Sequence, residues 1–363
     1  MRPASRHILF IVMSFGLVAF FLLTLTDTRV ASSAPPPPEP TPAPRLLPPN
    51  QPARGMIYDG LEPGTDVLCK GGFKLRDSND CTHGPDPAPL GVDVRIASAP
   101  IALNAPAAAS AIQCDGDGSS GYRTQVMYVR PSDRADRYAT YASSIQTWAA
   151  GADAIYQNSA AETGGYRRLR FVHDAGCNII VLNVVIPGTG SVDFNTSKSQ
   201  LAALGYNRSD RKYMYFFDLN IYCGIASIIP GDSSSQSNSN NFGPSYARAD
   251  NGCWAASVIA HESMHNMGGV QLSAAHTSGG YHCVDEWDLM CYSDSPNFPA
   301  MQYLCLSSSH DTLFDCNHDD YYHTNPAPGS YLATRWNTAN NRFLITTLPF
   351  VLTPRVFLPL VIK

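Results

Sequence analysis

The segment 261–271, with the sequence HESMHNMGGVQ, is the feature that most restricts how this chain can fold. On an α-helix, His261 and His265 lie four residues apart and therefore share one face. Two imidazoles at that spacing can hold one zinc ion, and the carboxylate of Glu262 can reach a water bound to it. Two consecutive glycines follow, beginning at Gly268, and glycine accepts the left-handed backbone with which many helices end. The segment therefore predicts a helix that carries a metal site and stops just beyond it.

The chain around this helix has the pattern of an α/β domain. Residues 123–130 are rich in β-forming residues and predict a strand, and residues 133–160 carry apolar residues at helical spacing. Further strands are predicted at residues 169–173, 179–186 and 212–219. Helices are predicted at 199–204, at 252–267 with Asn251 as the N-cap, and at 331–341. This order favours a twisted, mostly parallel sheet with the metal-binding helix, followed by an irregular C-terminal subdomain with a helix.

The two ends of the chain differ from this middle part. Residues 1–34 combine a basic start, an apolar run and small residues suited to cleavage, and predict a signal peptide. An uncleaved membrane anchor is the alternative, and both place the remainder outside the cytosol because the positive charges precede the apolar run. Residues 35–53 predict an extended, proline-rich linker. The apolar tail at 347–363 is interrupted by prolines, which argues against a spanning helix.

Ten cysteines, none of them in a CxxC pair, indicate disulfides and a secreted or extracellular protein rather than a thiolate metal site. The pairings considered are Cys69–Cys81, Cys223–Cys253 and Cys283–Cys291. Residues 54–111 contain the first pair and are predicted to be an N-terminal segment or a removable pro-region. A free thiol from this segment that caps a zinc ion is the alternative, but the even number of cysteines favours the bridge.

A Met-x-Tyr sequence, Met290 and Tyr292, follows in a loop region. Together with the HExxHxxG segment, it resembles the metzincin zinc endopeptidases. The resemblance implies a zinc metalloprotease catalytic domain at about 112–346, with His261 and His265 as metal ligands. It also implies that Met290 forms a hydrophobic base below the metal, and that Tyr292 stabilises the oxyanion of the reaction.

The chain departs from this family at the third metal ligand. In metzincins that ligand lies six residues after the second histidine, where this chain has Gln271. An amide oxygen is a poor zinc ligand beside imidazole. His276 is the preferred replacement, because a short detour of the chain would bring it to the metal. His282 is the second choice, since the adjacent cysteine could tether it near the Met-x-Tyr sequence, and Asp285 and Asp288 are carboxylate options.

These patterns predict a secreted zinc-dependent endopeptidase in which Glu262 is the general base, Zn²⁺ is the cofactor and a protein or peptide is the substrate. The net charge of −5 and the absence of a basic cluster exclude nucleic acid as an expected partner. A membrane is a partner only if the N-terminal apolar segment stays uncleaved. The alternatives are a catalytically inactive binding protein of metzincin fold, supported only by Gln271, and a zinc hydrolase acting on a non-peptide bond. The presence of Glu262 and Tyr292 argues against the inactive form.

Overall fold

A mixed eight-stranded sheet organises the part of the chain that the computed structural model describes, residues 46–101, 112–188, 192–295, 297–305 and 307–348. The predicted signal peptide, most of the proline-rich linker and nearly all of the C-terminal tail lie outside these residues. Within the described ranges, no helix is both long and apolar enough to cross a membrane.

Strands and helices alternate through the middle of the chain, which confirms the predicted α/β class. The strands are β1 (Leu61–Pro63), β2 (Phe73–Leu75), β3 (Cys81–Asp86), β4 (Arg123–Pro131), β5 (Arg168–Leu169), β6 (Val181–Ile186), β7 (Arg211–Phe217), β8 (Gly224–Ile228), β9 (Ser245–Asp250) and β10 (Leu344–Ile345). The helices are α1 (Tyr138–Glu162), α2 (Phe194–Ala203), α3 (Ala256–Met267) and α4 (Tyr331–Thr334).

The strand order of the large sheet is β1-β2-β3-β8-β9-β7-β4-β6. Strands β9, β7, β4 and β6 are parallel neighbours, as predicted for this part of the chain. The other four junctions are antiparallel, and in one of them β3 pairs with β8 so that Asp86 lies opposite Gly224. The N-terminal segment therefore extends the same sheet that supports α3. Strands β5 and β10 form a separate two-stranded sheet.

The two largest apolar cores of the described residues lie against this sheet. The larger core contains the predicted apolar face of α1, with Tyr141, Ile145 and Ala152 buried. It also contains residues of α3, and the hydroxyls of Tyr156 and Ser263 meet at 3.1 Å where the two helices touch. The second core includes apolar residues of α2 together with side chains from the strands. Burial of the periodic apolar face of α1 explains why that helix was predictable from sequence.

Helix α3 begins later than predicted. Its N-cap is Ala255, whereas Asn251 opens a short 3-10 turn. The Asn251 amide donates to Asp218 at 3.0 Å, and its side-chain oxygen accepts from the backbone N–H of Ser98 at 2.9 Å. The Asn251 side chain thus joins distant segments instead of capping the helix.

The last helix is also shorter than predicted and ends at Thr334. Arg335 is extended, and the next residue, Trp336, donates its backbone N–H to the carbonyl of Asp232 at 2.7 Å. The indole N–H of Trp336 donates to the carbonyl of Met267 at 2.8 Å, at the end of α3. These long-range contacts draw the chain out of the helix that local periodicity favours.

Disulfides join the described cysteines in five pairs. They are Cys69–Cys81, Cys114–Cys177, Cys223–Cys253, Cys283–Cys291 and Cys305–Cys316. The three pairings considered from the sequence are confirmed. Because no described cysteine is free, a thiol from the N-terminal segment is not available to bind a metal. Five disulfides are typical of an extracellular protein.

Candidate metal centre and active site

Three histidines meet beside the end of α3. His261 and His265 share one face of the helix, and His282 comes from the loop beyond Gly268, whose left-handed backbone (φ 94°) ends the helix. The Nε2 atoms are 3.1 Å apart between His261 and His265, 3.2 Å between His261 and His282, and 3.1 Å between His265 and His282. Nitrogens bound to one tetrahedral zinc ion at about 2.0–2.1 Å would lie about 3.3 Å apart. This histidine triangle therefore has the size of a zinc site.

The other ring nitrogen of each histidine faces a hydrogen-bond acceptor. The acceptors of His261, His265 and His282 are the carbonyls of Leu289 and Gly269 and the carboxylate of Asp294, at 2.7, 3.0 and 2.7 Å. Carbonyl and carboxylate oxygens accept, so each ring donates through Nδ1 and points Nε2, the nitrogen whose lone pair a metal would take, into the triangle. Lone pairs that converge in this way repel one another unless a cation lies between them. The residues present therefore fit a metal ion.

The expected third ligand, His276, lies outside the histidine triangle, and this placement corrects the sequence-based choice. Its Nδ1 is 3.1 Å from a carboxylate oxygen of Asp320 and 3.3 Å from one of Asp285. The side chain of Gln271 is also engaged elsewhere, because it accepts from the backbone N–H of Gly231 and donates to the carbonyl of Gly268, both at 2.9 Å.

His282, the second choice from the sequence, occupies the third position. The neighbouring Cys283 is bonded to Cys291, which ties the His282 loop to the Met-x-Tyr sequence. Asp294 then orients the ring through Nδ1. Asp288, a carboxylate option, accepts instead from the backbone N–H of Met290 and lies outside the triangle's contacts. The disulfide and the hydrogen bond to Asp294 thus place His282 at the triangle, whereas the other candidate ligands are bonded elsewhere.

The two predicted catalytic side chains adjoin the triangle. Glu262 is fully buried on α3, and an added Cβ on Gly224 of β8 would lie only 1.8 Å from its Oε1. The ring of Tyr292 lies 4.1 Å from that of His282, centroid to centroid. Burial, followed by the charge of Asp86, raises the pKa of Tyr292 well above its ordinary value, so the phenol stays protonated. Met290 is fully buried in the larger core.

Sequence reasoning missed two residues that cover the triangle, His83 and Asp86 of β3. Asp86 places one carboxylate oxygen 3.0 Å from Nε2 of His261 and the other 3.4 Å from Nε2 of His282. The hydroxyl of Tyr292 donates to the same carboxylate. The ring of His83 stacks on that of His265 with centroids 3.7 Å apart. The residues between Cys81 and Asp86 carry no spacing signal that points to α3, so only the strand pairing reveals this contact.

The two carboxyl groups of the site, those of Asp86 and Glu262, have pKa values shifted in opposite directions. Burial opposes ionisation of Asp86, but His261 and His83 hold the pKa of its carboxyl well below the usual range. Burial, and next the charge of Asp86, raises the pKa of Glu262 well above its ordinary value. Nε2 of His83 accepts from the backbone N–H of Ala226 at 3.0 Å and lies 3.2 Å from Glu262, which suits a protonated Glu262. The ionised form is therefore favoured for Asp86 and the protonated form for Glu262.

A cavity of about 530 Å³ adjoins the site. His261, Glu262 and Tyr292 line one part of it, and residues 86–90 of the N-terminal segment line another. The predicted catalytic side chains and residues 86–90 therefore face the same space.

No protein-family model matches the chain, and no curated protein sequence matches it. Among solved structures, a metalloproteinase-II from Bacteroides fragilis matches with 13% identity and a TM-score of 0.23, over 54% of this chain and 55% of that one. A chaperone–substrate complex matches with 11% identity and a TM-score of 0.22, over 53% of this chain and 34% of the other. The chain thus spans about half and about a third of the lengths of these two proteins. Likenesses this weak carry no argument about function.

Proposed function

We propose that this chain is a secreted zinc-dependent endopeptidase of metzincin type, with His261, His265 and His282 as the metal ligands. The observation that carries the proposal is the convergence of three imidazole lone pairs within 3.2 Å of one another. Glu262, the candidate general base, and the phenol of Tyr292 adjoin that point, and a protein that only stored metal would need neither. The five disulfides support the extracellular setting.

The site residues take separate roles in peptide hydrolysis. Zinc, when bound, would supply Lewis acidity toward the scissile carbonyl and lower the pKa of a water molecule. Glu262 accepts the proton of the attacking water and later delivers it to the leaving amine nitrogen. Tyr292 donates a hydrogen bond to the oxyanion that develops from the carbonyl oxygen. Asp294 keeps His282 in the tautomer that presents Nε2.

The described form of the site is a closed one. Asp86 occupies the open side of the histidine triangle and accepts from Tyr292, while His83 faces Glu262. Asp86 fills the side of the triangle where a substrate carbonyl would have to lie, and its charge disfavours the basic form of Glu262, so the reaction requires β3 to leave or to be cleaved away from the site. In this proposal, residues 54–111 restrain the enzyme as a pro-region would.

A second candidate function follows from the same contact. With Asp86 included, the triangle becomes a site of four protein groups, and zinc sites without an open position are structural. In that case the chain would be a zinc-stabilised binding protein rather than an enzyme. The contact of Asp86 with the histidine triangle is the only observation that favours the binding protein. The two candidate functions predict different effects of replacing Asp86.

Metal analysis combined with a cleavage assay tests the proposed function. The full chain should bind zinc and cleave an unfolded protein substrate slowly, through the fraction of molecules in which β3 has left the site, and a chelator should abolish the cleavage. His282→Ala should lose the zinc of the triangle, whereas His276→Ala should keep it, because His276 faces Asp285 and Asp320 instead. If His282→Ala retained full zinc affinity at this site, the proposed ligand set would be refuted.

Asp86→Asn should raise peptidase activity at least about tenfold, a change equivalent to roughly 1.4 kcal/mol in the closing equilibrium. The amide keeps the shape of the side chain but removes the negative charge that would hold Asp86 on a zinc ion bound by the triangle. Asp93→Asn, in the same segment but outside the site, is the matched control and should leave activity unchanged. A zinc-bound Asp86→Asn chain without any cleavage would favour the binding protein.

A further inference from the structure

A second group of metal-ligating side chains lies in the loops that follow α3. Nδ1 of His276 is 3.1 Å from an oxygen of Asp320, 3.3 Å from one of Asp285 and 3.6 Å from one of Asp319. One ligand atom from each of the four residues lies within 4.8 Å of all the others. The histidine triangle shares no residue with this second cluster.

The charges of the second cluster are not balanced by protein groups. The side chains of Asp285 and Asp320 are each only 2% exposed. Among the described residues, His276 is the only basic side chain within 4.0 Å of the three carboxylates. One imidazolium balances only one of the two buried carboxylates, and uncompensated buried charge is strongly unfavourable.

Hydrogen bonding in the second cluster is incomplete as well. One oxygen of Asp285 accepts from the amide of Asn317 at 3.1 Å, but the other oxygen, Oδ1, is buried without any hydrogen-bond partner. Oδ1 of Asp319 is likewise buried and without a hydrogen-bond partner. Buried polar atoms of native proteins nearly always have partners, so an orphaned carboxylate oxygen in such a cluster points to a cation.

We infer that His276, Asp285, Asp319 and Asp320 bind a second divalent cation, at a site separate from the histidine triangle. One imidazole nitrogen with three carboxylate oxygens suits Zn²⁺ or Mn²⁺ better than Ca²⁺, which takes oxygen ligands. Ligand atoms about 3.3 Å apart are expected around a tetrahedral ion with bonds of about 2.0–2.1 Å. The side chain of Asp319 is 48% exposed, which gives the ion a path from solvent.

This site would fix the loop that carries the third imidazole. His282 lies between His276 and Asp285 in the chain, so both ends of its loop would be bound to one ion. Asp319 and Asp320 come from the segment before the last helix, so the ion would also join two otherwise irregular parts of the chain. The inference stands on this cluster and does not depend on the proposed function.

Metal stoichiometry tests the inference without a catalytic readout. The full chain is stripped with a chelator, dialysed against buffered Zn²⁺ and analysed for metal by mass spectrometry. We expect two equivalents in the wild type and one each in Asp285→Asn/Asp320→Asn, His276→Ala and His282→Ala. Asp66→Asn, an exposed carboxylate outside both sites, should keep two. His276→Ala serves as the second variant if the double substitution prevents folding.

The outcomes separate the two proposals. One equivalent in the wild type, kept by Asp285→Asn/Asp320→Asn and lost in His282→Ala, would overturn the second site and leave the proposed function standing. One equivalent in the wild type that is kept by His282→Ala and lost in Asp285→Asn/Asp320→Asn would support the second site. It would also show that the histidine triangle binds no zinc and would refute the proposed function. Two equivalents in Asp285→Asn/Asp320→Asn and in His276→Ala would place the second ion elsewhere and overturn the inference.

Discussion

Replacing Glu262 with glutamine is expected to lower kcat/KM for peptide cleavage by about 10²–10⁴-fold, while zinc content and fold stay unchanged. Glutamine has the size of glutamate but cannot accept the proton of the attacking water. Glu262 is also outside the three imidazoles that meet at the end of α3, so its loss should not release the metal.

The measurement is best made in the Asp86→Asn background, where the site is expected to be open. Glu62→Gln in β1, whose carboxylate pairs with Lys74 at the surface, is the matched control and should retain full activity. If both variants keep the zinc content and the unfolding transition of the parent chain, the loss of activity is a loss of catalysis and not of metal or fold. Undiminished cleavage by Glu262→Gln would rule out the proposed base.

Arg248→Met is expected to lower the free energy of unfolding by about 3–5 kcal/mol, because it leaves a buried carboxylate without its counter-ion. Arg248 and Asp250 are both fully buried on β9 and form two parallel hydrogen bonds of 2.6 and 3.0 Å. The guanidinium also donates to the carbonyl of Val192 at 2.9 Å and lies 4.0 Å from the ring centroid of Phe217.

Denaturant unfolding with the disulfides intact measures this effect. Arg248→Met/Asp250→Asn should recover part of the loss, since the amide oxygen can still accept from the backbone while the charge is gone. The exposed pair of Arg95 and Asp93 offers a control, and Arg95→Met should change stability little. A loss in Arg248→Met no larger than in this control would contradict the expectation.

Local patterns were sufficient where the spacing of an element's own residues defines its buried face or its end. The apolar face of α1 and the HExxH face of α3 follow from helical spacing, and Gly268 ends α3 as its backbone freedom predicts. The bounds of α4 were not predictable in this way. They depend on Trp336, which bonds to a residue of α3 that is 69 positions away in the chain.

The choice among candidate ligands depended on partners that spacing does not show. The sequence favoured His276 over His282, and the structure reverses this order through the acidic neighbours that each ring meets. Asp86 was still harder to predict from the sequence, because it reaches the triangle only through the pairing of β3 with β8. Residues that converge from distant parts of the chain require the fold itself.

The antiparallel pairing of β3 with β8 also bears on how a substrate would be selected. If β3 departs, β8 becomes an edge strand whose free backbone N–H and C=O groups lie beside Glu262. An extended peptide could add to that edge through main-chain hydrogen bonds, which are largely indifferent to side-chain identity. Such an enzyme would choose its targets first by their ability to present an unfolded stretch of chain, and only secondarily by their sequence.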